Sequence, residues 1–140
     1  MNMIGHFNFT KIIVTDADRL FAFYHEAFGM TQIARIRLGE GEDELDEIIM
    51  GTAGVAGGAN AGHTLVIQRY PNRPIPACGE VTLGFIVADI DQAFKVAVAA
   101  GATIERPVWT EADHGIHVGF IKDPDGHLIE LVQMIQRPNR

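Results

Sequence analysis

Two stretches of the chain repeat one pattern of apolar and polar positions. In "IIVTDADRLFAFYHEAFG" (12–29) a β-branched run ends at an Asp, and Leu20, Phe21, Phe23, Tyr24, Ala27 and Phe28 then recur at helical spacing. "FIVADIDQAFKVAVAAG" (85–101) does the same, with Phe94, Val96, Ala97 and Val98 on the helical stripe. At one constant offset Val14 falls on Val87, Asp16 on Asp89, Asp18 on Asp91, Phe21 on Phe94 and Ala27 on Ala100. Each leading Asp can accept from the open N–H groups of a first helical turn, and Gly29 and Gly101 suit the position just past the last turn.

Beyond each helix the period shortens to two, the strand signature. "QIARIRL", "LDEIIMG" and "HTLVIQRY" follow the first helix; "IHVGFI" and "HLIELVQM" follow the second, with a weaker candidate around "ATIERPVW". Each half therefore reads β-α-β-β-β, module one over about 5–70 and module two over about 80–136. The proline-rich "PNRPIPACG" (71–79) links them within a single domain spanning 1–140. A repeat of half the chain, present twice, indicates a duplicated supersecondary unit rather than a solenoid.

"KDPDGHLIEL" (122–131) carries the chain from one strand into the next. Asp123 suits the first position of a type I turn, Pro124 presets φ at the second, and Gly126 supplies φ > 0. Alternation then sets Ile129 and Leu131 on one face, and Leu128, Glu130 and Val132 on the other. Glu130 is thus a carboxylate flanked by apolar neighbours, opposite a face that covers a core.

The two strand-Asp-helix openings, "FYHEAFGM" after the first, and "GIHVGFIKDPDGHLIELVQ" near the end together resemble the glyoxalase/bleomycin-resistance/dioxygenase superfamily, the vicinal oxygen chelate proteins. The resemblance covers nearly the whole chain. It implies an α+β fold of two β-α-β-β-β modules, forming a curled, cup-shaped mixed sheet with helices on the outside. It also implies a ligand or metal in the cup, and a homodimer. Metal-dependent members place His or Glu on the inward faces of particular strands. Glu130 matches one such position; Phe9, Thr82 and Val66 occupy the other three. Phe and Val offer no ligand atom, so the standard divalent-metal site is disfavoured and no cofactor is expected.

The expected cup is apolar with a few polar groups, the character of a small-organic-ligand site. Phe9, Lys11, Val66, Gln68, Thr82 and Trp109 are the candidate ligand-binding residues, and Glu130 and His117 the candidate catalytic ones. His117 is read as facing inward with Gly119 and Ile121, where it would form an acid–base pair with Glu130. Trp109 is placed in the loop before "HGIH", either at a pocket rim or in ordinary packing. His6, His25, His63 and His127 read as exposed: terminus, helix surface, loop end and turn flank.

Composition narrows this picture only in places. The net charge of −7 argues against nucleic acid. Much of the acidity lies in "EGEDELDE" (40–47), read as a solvated hairpin tip and strand entry. The single Cys78 excludes an intrachain disulfide or a cysteine-cluster metal site. No apolar run is long enough to span a bilayer and no signal-peptide pattern opens the chain, so a cytoplasmic location is expected. "GTAGVAGGANAG" (51–62) lacks the features of a phosphate-binding loop and reads as a long connection, disordered or a lid. The function expected is small-ligand binding in the cup without the metal. The alternatives are a metal-dependent lyase, isomerase or dioxygenase, and sequestration of a drug or metabolite without chemistry.

Overall fold

The structure, a computed structural model, describes residues 5–52 and 63–135. The elements run β1 (Phe9–Ile13), α1 (Ala17–Phe28), β2 (Met30–Leu38), β3 (Leu45–Thr52), β4 (Thr64–Arg69), β5 (Thr82–Ile86), α2 (Ile90–Ala100), β6 (Thr103–Glu111), β7 (Ile116–Lys122) and β8 (Leu128–Met134). They form two open four-stranded sheets, ordered β1-β4-β3-β2 and β5-β8-β7-β6, with the helices outside. In each sheet the first and last strands pair in parallel and the other pairs are antiparallel. By its contacts the chain divides into two compact units, Met1–His25 with Gly29–Pro76 and Glu26–Phe28 with Ala77–Arg140. The break at Pro76 falls inside the proline-rich stretch.

The duplication reaches individual hydrogen bonds. Asp16 accepts from Arg19 N and Asp89 from Gln92 N, both at 3.1 Å, so each helix begins where its cap lies. Val14 N donates to Gln68 O at 2.9 Å, and Val87 N to Val132 O at 2.8 Å. In the first unit Ile12, Ile48, Met50, Leu65 and Ile67 are buried on one face of the sheet, and Leu20, Phe23 and Tyr24 of α1 are buried with them. In the second unit Ile121, Ile129 and Leu131 line the corresponding face, and Phe94 of α2 rests on Gly119.

The second turn is built as its residues require. Gly126 has φ +100°, and its N–H donates to Asp123 O at 2.9 Å. Asp123 Oδ1 accepts from the backbone N–H groups of Asp125 and His127, each at 2.9 Å. The other oxygen, Oδ2, lies 2.8 Å from His127 Nδ1. This contact folds the imidazole inward, so His127 is buried and not the exposed turn flank its position suggested.

Two more placements differ from the sequence reading. Trp109 lies within β6 rather than in a loop, because the strand continues past Pro107 through register irregularities between Arg106 and Trp109. The acidic stretch is exposed through Glu44, but β3 begins at Leu45 and Glu47 is buried. Of the Gly/Ala-rich connection, Gly51 and Thr52 complete β3; residues 53–62, and with them the expectation of a lid, lie outside the described residues.

Candidate functional site

Strand pairing decides which side chains share a face. In the first unit Lys11 lies across from Val66, Ile13 from Gln68, Val66 from Ile49, and Gln68 from Glu47. All of them stand on the face opposite the buried Ile48 and Ile67. β1 and β3 flank β4, so an interaction between Lys11 and Glu47 must cross the strand carrying Val66 and Gln68. It does: Lys11 Nζ donates to Glu47 Oε2 at 3.0 Å. The Glu47 side chain is 8% exposed and that of Lys11 42%, so the carboxylate lies beneath and the ammonium faces outward. Such a pair offsets the desolvation of Glu47, a carboxylate that would otherwise be costly to bury.

Around the pair is a cleft of about 270 Å³. Phe9, Ile33, Ile49 and Val66 give it apolar walls, and Asn8 and Thr64 add uncharged polar groups. Ile33 reaches it through a bulge in β2 between Gln32 and Ala34. It folds over Gly51, where a Cβ would lie 2.8 Å from Ile33 Cδ1. Beside the cleft Gln68 is buried, and its Oε1 has no hydrogen-bond partner among the described residues. Larger depressions, about 410 Å³ at Arg37, Asp46 and Arg69 and about 660 Å³ at His117, Gln133 and Met134, have only half-buried or exposed walls. The smaller cleft sets a charged pair against buried Thr64 and Val66, which makes it the better-built site.

In the second unit Glu130 lies between Gly84 and Phe120, on the same face as Thr82, Leu128, Val118 and Val132. Trp109 pairs with Val118 and stacks on Phe120, ring centroids 6.0 Å apart. Its indole N–H donates to Glu111 Oε1 at 2.7 Å, and the Arg106 guanidinium lies 3.6 Å over its ring. Thr82, Trp109 and Glu130 therefore share a face. His117 does not join them. It pairs with Gln133, on the side of Leu131 and Ile129, and its Nδ1 lies 2.9 Å from Thr110 Oγ1. The expected Glu130–His117 acid–base pair is not formed, because His117 shares its parity with Gly119, and Gly119 faces Phe94 of the helix.

Glu47 is the site residue the sequence reading missed. Period-two alternation in "LDEIIMG" sets Glu47 with Ile49 and Gly51, a pattern obscured by the acidic run that precedes it. Another acidic group of the same strand has a structural task on the opposite face. Asp46 accepts from Arg35 Nε at 3.0 Å and from Nη2 at 2.8 Å, and Arg35 also bonds Asp18 of α1. The Arg35 hydrogen bonds hold the Asp46 carboxyl below its ordinary range and raise the pKa of the guanidinium. Cys78 is no activated nucleophile: burial, then Asp123 and Asp125, push its thiol upward.

The four strand positions associated with metal chemistry hold Phe9, Val66, Thr82 and Glu130, and two of these have no donor atom. Among the described residues no three His, Cys, Asp or Glu side chains converge. This donor set does not fit a divalent ion.

Paired β-α-β-β-β units, each with an open sheet face and a helix outside, define the class of protein. The chain belongs to the Glyoxalase/Bleomycin resistance protein/Dioxygenase superfamily, whose family model matches residues 4–131. It is 30% identical over 129 residues to the "Probable lactoylglutathione lyase" of Vibrio parahaemolyticus, covering 92% of this chain and 91% of that protein. A protein of the same name from Vibrio cholerae is 27% identical over 89% of this chain and 87% of its own length. A glyoxalase family protein from Bacillus cereus superposes with a TM-score of 0.75 over 96% of this chain and 97% of its own, at 21% identity, a likeness of fold alone. No helix among the described residues is long and apolar enough to cross a membrane.

Proposed function

We propose that this protein binds a small organic ligand in the cleft of the first unit, without a resident divalent metal. The observation that carries the reading is the Lys11–Glu47 pair, set among Phe9, Ile33, Ile49 and Val66. Apolar walls supply the affinity for a hydrophobic body, and a few polar groups orient it. Lys11 is the reachable donor and Glu47 holds it in place. Glu130, Thr82 and Trp109 form a separate polar and aromatic face in the second unit, a secondary candidate for contact with ligand.

Two measurements test the proposal. Metal analysis of protein purified without a polyhistidine tag is expected to find no stoichiometric transition metal; one bound equivalent, lost on Glu130→Gln, overturns the metal-free reading. Fragment binding followed by NMR is expected to move the resonances of Phe9, Lys11 and Val66. Recovery of a ligand unaltered then assigns sequestration, and its conversion assigns catalysis.

A second reading is favoured by the Vibrio relatives, which match over nearly their full length. On that reading the chain is a lyase producing lactoylglutathione. An assay for that product, with and without added divalent metal, decides between the two. Metal-dependent turnover that survives Lys11→Met would replace the cleft-based proposal.

A further inference from the structure

We infer that the first-unit cleft selects an uncharged ligand carrying a carbonyl-type acceptor on an apolar body: a ketone, ester or amide rather than an acid or an amine. The inference rests on the cleft-binding reading and adds the chemical class of its ligand. Among the described side chains lining the cleft, Lys11 and Glu47 are the only charged ones, and they neutralise each other at 3.0 Å. Their exposures differ in a way that matters: 42% for Lys11 and 8% for Glu47. A ligand entering the cleft therefore meets the ammonium, whose three N–H groups can only donate. One is taken by Glu47, and the others are open to an acceptor atom.

Charge decides which acceptor. A carboxylate ligand would put a second anion around one ammonium, with Glu47 already against it in apolar surroundings. An ammonium ligand would meet Lys11 first and be repelled, while the carboxylate that might attract it lies beneath. A neutral carbonyl accepts from Lys11 without either penalty, since the pair it joins has no net charge. The other polar groups of the described lining, Asn8 and Thr64, are uncharged, consistent with this preference.

The test compares three probes of similar shape and different charge: acetophenone, benzoate and benzylammonium. Binding to the full chain is followed by NMR shifts at Phe9, Lys11 and Val66. The intact protein is expected to bind acetophenone at least about tenfold more tightly than either ion. Glu47→Gln leaves Lys11 uncompensated and is expected to raise benzoate affinity by about tenfold or more relative to that of acetophenone. Lys11→Met removes the donor and is expected to weaken acetophenone by about tenfold, which provides a second readout should Glu47→Gln fail to fold. Tighter binding of benzoate or benzylammonium to the unaltered protein overturns the selectivity and leaves the cleft reading standing. If no probe shifts the cleft resonances, the cleft reading falls, and the selectivity with it.

Discussion

Where the first unit sets Lys11, Glu47 and Gln68, the second sets Gly84, Val118 and Val132 at the same register positions. The exchange also runs the other way: Val66 and Phe9 of the first unit stand where the second has Glu130 and Thr82. On the core-facing side the differences are compensated in volume. Ile48 of the first unit corresponds to Gly119 of the second, and there the ring of Phe94 fills the space. The scaffold of caps and ladders is common to both units, while the face turned away from the helix is free to diverge. A strand makes this separation because successive side chains point to opposite sides and only one side must pack.

The sharpest way to break the comparison is at Gly119. A Cβ there would lie 2.5 Å from Phe94 Cζ and 3.3 Å from Arg106 O. Gly119→Ala is expected to destabilise the protein by about 2–3 kcal/mol, measured by urea unfolding, since overpacking forces ring and strand apart. Adding Phe94→Leu should recover part of the loss, a coupling expected of residues in contact. Equal losses with and without the second change would show that Phe94 does not fill the place of a strand side chain.

Next in size is Lys11→Met, which removes one partner of the first unit's pair and leaves Glu47 buried. A loss of about 1–2 kcal/mol is expected, below the figure for a fully buried pair because Lys11 is partly solvated. Gln68→Met should move stability the opposite way or not at all, by up to about 1 kcal/mol, because it deletes a buried acceptor that lacks a donor. A large loss at Gln68 would mean that its carbonyl oxygen is satisfied in solution.

Asp46 gives a smaller effect with a pH signature. Its hydrogen bonds from Arg35 lower its folded pKa below the ordinary 3.8, so the folded state holds the proton less tightly than the unfolded chain. The resulting stability is present in full above the unfolded value and is lost as pH falls through the lowered folded one. Asp46→Asn should therefore cost at most about 1 kcal/mol near neutral pH, discounted because Arg37 and Asp18 in the same network are solvated. The gap between variant and parent should close in acid. A gap independent of pH in thermal melts would assign the loss to packing.

The repeat was legible because its causes are local. Asp16 and Asp89 cap the turns that follow them, and period-two runs become strands in the order read. Pairing across strands was not legible. His117 was read correctly as sharing a face with Gly119 and Ile121, but only its position opposite Gln133 shows that this face turns toward the helix. Glu47 was hidden for a similar reason: its burial depends on Lys11, a residue distant in sequence, while the acidic run that leads up to it is exposed through Glu44. His127 looked exposed because nothing local shows that Asp123 accepts from its backbone N–H and also contacts its ring.

The smallest expected effect separates the two carboxylates directly. Glu47 and Glu130 both stand on the sheet face turned away from the helix, with buried Ile48 next to the first and buried Ile129 and Leu131 on either side of the second. Glu47 is buried and bound to Lys11; Glu130 is half-buried, and its side chain makes no hydrogen bond or ion pair among the described residues. A carboxylate with no partner to lose, and with access to water, gives up little on becoming an amide. Glu130→Gln is therefore expected to change stability by less than about 0.5 kcal/mol in urea unfolding. Acetophenone affinity should stay within about twofold, since the donor it needs is in the other unit. A tenfold loss of binding in this variant, with folding intact, would transfer the ligand from the Lys11–Glu47 cleft to the face of Glu130, Thr82 and Trp109. A large loss of stability would instead show that Glu130 has a partner of its own, and that both units rather than one depend on a buried charge.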